Sequence, residues 1–185
     1  MGAARAWEAR PVAVSNNARS LTDIDALAAQ VKAEFDTFDL LFVNARFSLP
    51  TLFERVTDAI YDEMFNLNAR GPFVAVQKLT PLINRGGAVV LTTSVSNVKG
   101  MLAKPALRNF AQVLAVEFLP QEIRVNAVSP GPIDTGIREG VHTQHHPDEA
   151  LRNLEGNIKA ALFLAFDATF TTGLEISVDG SWSQL

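Results

Sequence analysis

The 185-residue sequence contains no cysteine, which excludes disulfides, zinc–thiolate sites and catalysis by a thiol. Its longest apolar runs, such as residues 160–166, fall far short of the roughly 20 residues that a bilayer-spanning helix needs. The stretch from Met1 to Val14 carries Arg5, Glu8 and Arg10 and lacks the apolar core of a signal peptide. These absences predict a cytoplasmic protein without a membrane partner.

Clustered charge is also missing. Sixteen Lys and Arg residues stand against twenty Asp and Glu residues, which gives a net charge of −4, and no basic run occurs anywhere. This balance argues against nucleic acid as a partner. The three histidines, His142, His145 and His146, have no acidic or cysteine ligands at metal-site spacing, so we interpret them as a solvated loop and predict no metal.

What the sequence does contain is typical of one globular α/β domain spanning residues 1–185, since 48% of the residues are hydrophobic and 19% are charged. Short β-rich runs alternate with segments of helical period, which predicts a parallel sheet covered by helices. The predicted strands are Leu40–Val43, Ala88–Thr92, Arg124–Val128 and Glu175–Val178, with a weaker fifth at Pro11–Val14.

Four helices are predicted between these strands. They are Asp23–Phe35, capped by Thr22 or Asp23, a long helix from about Asp58 to Ile83, Pro105–Phe118, and a last helix near Ala150–Phe166 with a potential break at Gly156. The pair Gly71–Pro72 should bend the long helix. Because Pro72 has no N–H to donate to the carbonyl of Asn68, that oxygen is left for another partner.

Six segments occur in a fixed order that resembles the short-chain dehydrogenase/reductase family. They resemble, in turn, its NNAG turn, the kinked helix with its active-site Asn, the strand leading to its active-site Ser, the helix after its tyrosine motif, its PG motif and its final strand. The segments are Val43–Arg46, Asn66–Phe73, Gly86–Ser94, Ala103–Phe110, Ile123–Thr135 and Thr172–Gly180. The resemblance implies a Rossmann-like three-layer αβα fold with a mostly parallel sheet.

The resemblance also implies chemistry. In the family, a tyrosine exchanges a proton with an alcohol or ketone substrate while a hydride passes to or from NAD or NADP, and a lysine four residues later lowers the pKa of that tyrosine. The catalytic positions carried over are Asn68, Ser94 and Lys104. The cofactor-binding positions are Asn44 and Ala45 near the adenosine half, and Pro130, Gly131, Ile133 and Thr135 near the nicotinamide half.

Several departures from the family pattern predict impaired activity. Gly100 stands four residues before Lys104, and the only tyrosine is Tyr61. Ser94 and Lys104 are only ten residues apart, which a deletion explains better than a substitution. The TGxxxGxG loop that holds the pyrophosphate in the family, with its strand–helix–strand unit, is absent, and Arg46 replaces the last glycine of the NNAG turn.

A further apparent deletion falls between Asn157 and Lys159. The residues leave two function classes open: an oxidoreductase of this family, or a non-catalytic chain that associates through the faces Asp58–Ile83 and Pro105–Phe118. Ser94, Lys104 and Asn68 also have structural interpretations, as a strand-end hydroxyl, a surface lysine and a group that satisfies the helix bend.

In the family's sheet, the first two strands lie between the third strand and the fourth, and Leu40–Val43 corresponds to the fourth. Loss of the first strand–helix–strand unit therefore predicts that Leu40–Val43 is an edge strand. The segment is apolar on both faces and carries no charge or proline, so it should seek a partner. Pro11–Val14 or a second chain could pair there. The prediction is a homo-oligomer or an aggregation-prone monomer.

Overall fold

The computed structural model describes residues 11–46, 51–95, 105–131 and 154–184. The helices and strands alternate along the chain. They are α1 (Leu21–Phe35), β1 (Phe38–Val43), α2 (Asp58–Phe65), α3 (Gly71–Leu79), β2 (Ile83–Thr92), α4 (Pro105–Glu117), β3 (Arg124–Pro130), α5 (Leu154–Leu162) and β4 (Glu175–Val178). Two π-helical turns, Asn66–Arg70 and Phe163–Asp167, follow α2 and α5.

The four strands form one sheet in the order β1-β2-β3-β4, and every pairing is parallel. The four predicted strands from Leu40 onward are therefore confirmed, although β2 begins at Ile83, five residues before the predicted start. The predicted fifth strand, Pro11–Val14, is wrong: this segment has no strand conformation. Its Val12 and Val14 lie against α1, where they line a cavity together with Leu27 and Val31.

The two faces of the sheet carry separate core clusters, because successive strand residues point to opposite sides. On one face, Val89 and Leu91 pack with Val76 of α3 and Leu114 of α4. The other face holds a second cluster, formed by Val90, Val128, Ala161, Leu164, Ala165 and Ala168. The result is the predicted αβα sandwich.

The helix limits differ from the prediction in ways that side chains explain. Ser20, rather than Thr22 or Asp23, caps α1, since its Oγ accepts a hydrogen bond from the Asp23 N–H at 3.2 Å. The predicted long helix is divided into α2, a π-helical turn and α3, and the change from π-helix to α-helix falls at Gly71. Its predicted end at Ile83 is wrong, because α3 ends at Leu79 and Ile83 begins β2. Helix α5 continues through Gly156 without a break, and residues 150–153 lie outside the described part.

Within the described ranges, no helix is both long and apolar enough to cross a membrane.

Candidate active site

The carboxyl ends of three parallel strands bring most of the predicted site residues to one edge of the sheet. Asn44 and Ala45 follow β1, Ser94 follows β2, and Pro130 and Gly131 lie at the end of β3. The registers Val43↔Leu91 and Thr92↔Val128 keep these ends level. In parallel α/β sheets, ligands bind in the crevice outside this edge.

Asn44 links the ends of β1 and β2. Its exposed side chain accepts a hydrogen bond at Oδ1 from the Oγ1 of Thr92, at 2.8 Å. The bond fixes the start of the turn after β1 against the neighbouring strand. Sequence reasoning did not find Thr92, because nothing in the pattern of β2 indicates a partner 48 positions earlier in the chain.

Asn68 lies in the first π-helical turn and is 3% exposed. Its Nδ2 donates to the carbonyl of Met64 at 2.9 Å, so the side chain satisfies a backbone group at the bend. The turn closes with the wider spacing of a π-helix, since the N–H of Gly71 donates to the carbonyl of Asn66. Such turns occur frequently at functional sites.

A glycine is required at position 71 for packing. A Cβ there would lie 2.2 Å from the carbonyl oxygen of Ala18, so no larger residue fits without moving the segment that leads into α1. The π-helical turn is thus held between that segment and α4, which it also contacts. The position of Asn68 is therefore set by two neighbouring parts of the fold.

Ser94 is half-buried and directly follows a residue that a polar network fixes. Thr93 is buried, and its Oγ1 donates to Glu175 Oε1 at 2.5 Å. The other oxygen of Glu175 lies 3.4 Å from Nε of Arg108. The network joins β2, β4 and the first turn of α4 beside Ser94, and no motif in the sequence signals it.

Gly131 is needed for a contact within the protein. Its N–H donates to the carbonyl of Val178 at 3.1 Å, and a Cβ at this position would lie 2.8 Å from Cα of Asp179. Burial raises the pKa of Asp179, but hydrogen bonds from Ser183 and Ser181 outweigh it, so the pKa is lowered overall. The carboxylate therefore stabilises its own turn after β4.

Lys104, Ile133 and Thr135 lie outside the described residues, so their assigned roles stay predictions. The same holds for the three histidines. In the four described stretches, no group of three His, Cys, Asp or Glu side chains could hold a metal ion.

The N-termini of α1 and α2 do not offer a cradle for the pyrophosphate of a dinucleotide. At α1, the carboxylate of Asp23 accepts from Ser20 Oγ at 2.7 Å and from the N–H of Asn17 at 3.1 Å. The Ser20 bond and then the Asn17 bond lower the pKa of Asp23, so an anion already lies where a phosphate would bind. At α2, Thr57 is the cap and Asp58 is in the first turn. These two helix N-termini therefore do not fit the phosphates of a dinucleotide.

The fold and the strand-end residues define an α/β protein of the Rossmann type, and comparisons with known proteins identify the family. Residues 2–183 match the family model described as enoyl-(acyl carrier protein) reductase. The chain is 31% identical to the oxidoreductase asL5 of Sarocladium schorii, across 94% of this chain and 77% of that protein. It is 30% identical to the 3-oxoacyl-[acyl-carrier-protein] reductase FabG of Chlamydia trachomatis, across 84% and 71%.

A solved structure of a short-chain dehydrogenase/reductase from Serratia marcescens BCRC 10948 has the same fold, with a TM-score of 0.82 and 23% identity. The match covers 93% of this chain and 76% of that one. The chain belongs to the short-chain dehydrogenase/reductase family.

Proposed function

We propose that this chain is an oxidoreductase polypeptide whose hydride transfer, between NAD or NADP and a secondary alcohol or ketone, is impaired in the 185-residue form. Family membership supports the reaction class. The observation that carries the impairment is the position of the only tyrosine: Tyr61 lies on α2, where its ring stacks on Phe65 with centroids 4.3 Å apart. It stands seven residues before Asn68 instead of four before Lys104.

The remaining polar groups do only part of the chemistry. Ser94, half-buried beside the fixed Thr93, supplies a hydroxyl that orients a substrate carbonyl. The amide of Asn68 already donates to the backbone of Met64 and so does not transfer a proton. Loss of a general acid or base lowers rates by about 10²–10⁴-fold, and loss of the phosphate cradle weakens cofactor binding in addition.

Insertion of the missing phenol tests this proposal. The variant Gly100→Tyr places a tyrosine four residues before Lys104, and we expect it to raise the rate of NAD(P)-dependent oxidation of a secondary alcohol by roughly 10²-fold or more. Adding Ser94→Ala to that variant is the matched control and should remove the gain. A wild-type rate equal to that of Gly100→Tyr would contradict the proposal.

A second function, self-association, is favoured by a groove between α3 and α4. Its volume is about 750 Å³, and the apolar part of its lining includes Phe73, Val76, Phe110, Val113, Leu114 and Phe118. Two of these side chains are well exposed: Phe73 at 46% and Val113 at 62%. Exposed apolar surface of this kind is typical of protein interfaces. We propose that a second copy of the chain covers this groove, on the two helix faces that the sequence predicts for association.

The variant Val113→Glu tests the groove. A charge at this exposed apolar position should dissociate the oligomer without unfolding the chain, since Val113 is not part of the core. Sedimentation velocity at micromolar concentration measures the change, with Lys159→Glu on the exposed side of α5 as the control. A wild-type chain that sediments as a monomer would contradict the proposal.

A further inference from the structure

One carboxylate, that of Glu175 at the start of β4, lies between the end of β2 and the first turn of α4. Its Oε1 accepts a hydrogen bond from the Oγ1 of Thr93 at 2.5 Å, and its Oε2 lies 3.4 Å from Nε of Arg108. In the sequence, Ser94 directly follows Thr93. Lys104 directly precedes α4, four residues before Arg108. Glu175 therefore joins the two chain segments that carry these candidate catalytic residues.

The end of β2 is fixed by backbone and side chain together. The N–H of Thr93 donates to the carbonyl of Val128 at 2.8 Å, which ties the residue to β3. The hydroxyl of Thr93 has one hydrogen and two acceptors within reach, Glu175 at 2.5 Å and the same Val128 carbonyl at 3.1 Å. Glu175 is the nearer and the charged acceptor, so it takes the hydrogen. Thr93 is 1% exposed, so water does not weaken this bond.

Thr93 does not need Glu175 in order to be satisfied. Without the carboxylate, its hydroxyl turns to the Val128 carbonyl and keeps a hydrogen bond. A charge at this position is also costly, since the side chain of Glu175 is 12% exposed while that of Arg108 is 51% exposed. An apolar side chain of similar volume is commonly as stable or more stable in such a place. These energetics favour a role in placing the two segments over a role in stability.

Helix α4 lies over the same face of the sheet as Glu175. Glu175 pairs in register with Ala127, which belongs to the core cluster that includes Ala111 and Leu114 of α4. This apolar packing holds the helix on the sheet, but it is non-directional. The ion pair between Glu175 and Arg108 adds a constraint at one point, because it limits how far the first turn of α4 lies from the end of β2.

We propose that Glu175 is a positioning residue, whose carboxylate sets the spacing between the end of β2, which Ser94 follows, and the start of α4, which follows Lys104. The assignment rests on the proposed function, because the spacing serves a reaction at Ser94. In such a reaction, a misplacement of about 1 Å costs roughly 10²-fold in rate. Glu175 acts through Thr93 and Arg108 and not on the substrate.

Amide hydrogen exchange of the full chain measures this coupling without any turnover. In Glu175→Gln, exchange at the Thr93 N–H should be about tenfold faster or more, because the end of β2 is then tied to β3 alone. Arg108→Gln should accelerate exchange at the same N–H, although the ion-pair partner of Arg108 is Glu175. The double variant should exchange no faster than Glu175→Gln, since both residues act through one contact.

Glu122→Gln is the matched control. Glu122 also pairs with an arginine, Arg85, at 2.6 Å, and this pair lies at the opposite end of β2. Its loss should leave exchange at Thr93 unchanged. The urea midpoint of Glu175→Gln should stay close to that of the wild-type chain, because Thr93 has a second acceptor. If Glu175→Gln fails to fold, the proposal is overturned in favour of a role in stability.

Turnover gives a second measurement in the Gly100→Tyr chain. There, Glu175→Gln should lower kcat by roughly tenfold or more with little change in KM, because the misplaced groups act in the transition state. Arg108→Lys keeps the charge and should lose less than Arg108→Gln. Absence of turnover in Gly100→Tyr itself would contradict the proposed function, while hydrogen exchange in the wild-type background would still decide the role of Glu175.

Two results in hydrogen exchange would overturn the positioning role: unchanged exchange at Thr93 in Glu175→Gln, or effects of Glu175→Gln and Arg108→Gln that add in full. In the kinetic measurement, an equal loss of kcat in Glu122→Gln would overturn it as well, because the effect would then follow from the removal of any carboxylate.

Discussion

The centre and the β1 side of the sheet differ sharply in how completely they are built. In β2 and β3, the side chains of Val89, Leu91 and Val125 are 0% exposed, and helices cover both faces. In β1, Phe42 is 45% exposed, and the neighbouring α1 buries one residue fully. Ser94 directly follows β2, at the well-packed centre of the sheet, whereas β1 lies at its less completely packed side. Substitutions in the centre should therefore cost more stability than substitutions in β1.

The largest effect expected from this comparison is on stability. Leu91→Ala removes a fully buried side chain packed in the cluster with Val76 and Leu114, and should lower the free energy of unfolding by about 2–5 kcal/mol. Phe42→Ala in β1 should cost less than about 1 kcal/mol, because the side chain is already half in water. Urea titrations of both variants measure the difference. Equal losses would mean that the β1 side is as well packed as the centre.

Substitution of Arg124, which joins β3 to the second π-helical turn, should lower the free energy of unfolding by a smaller amount. Its guanidinium donates to the carbonyls of Leu164, Ala165 and Ala168 at 2.5, 2.6 and 3.0 Å, and burial lowers the pKa of this arginine. Arg124→Met keeps the apolar stem but leaves these carbonyls without their donor, so we expect a loss of about 2–3 kcal/mol.

The control for this prediction is Arg85→Met. Arg85 also donates to a carbonyl, that of Pro120, but its side chain is 66% exposed. Its removal should change the free energy of unfolding by less than about 0.5 kcal/mol. If the two variants lose the same free energy of unfolding, the hydrogen bonds from Arg124 to the second π-helical turn do not stabilise the fold more than an exposed arginine does.

The smallest predicted effect is the pH dependence that Asp179 contributes. Its pKa is lowered in the folded chain from the ordinary 3.8, so its contribution is present above that value and disappears as the pH falls through the lowered folded pKa. Asp179→Asn should cost up to about 1 kcal/mol near neutral pH and less in acid. Thermal melts between pH 7 and the acid limit measure this, and a constant difference between the variants at all pH values would contradict it.

Some elements of the fold could be predicted because the signal lies in neighbouring residues of the sequence. The strands Ala88–Thr92 and Arg124–Val128 are recognisable because their β-branched residues form short continuous apolar runs. The first five residues of β2 escape this pattern, since they include Asn84, Arg85 and two glycines. Ser20 could also have been predicted as the N-cap of α1, because it stands three residues before Asp23, which is the spacing of a capping box.

The rest depends on partners that the chain brings together only when folded. Val12 and Val14 resemble a strand by composition, but a strand also needs a neighbour, and here they meet α1 instead. Asn68 and Ser94 could be found from family resemblance. The network of Thr93 with Glu175 could not, because its members are 82 positions apart and neither belongs to a motif.

The most direct test of the central claim is a thermal melt of the purified wild-type chain with and without millimolar NAD(H) and NADP(H). A ligand that binds the folded state raises stability by RT ln(1 + [L]/Kd). Because Asp23 and Asp58 occupy the N-termini of α1 and α2, the account predicts weak nucleotide binding, and so a cooperative transition that millimolar nucleotide raises by no more than about 2 °C. A much larger rise with either nucleotide would contradict it, since the phosphates would then be held firmly by this chain.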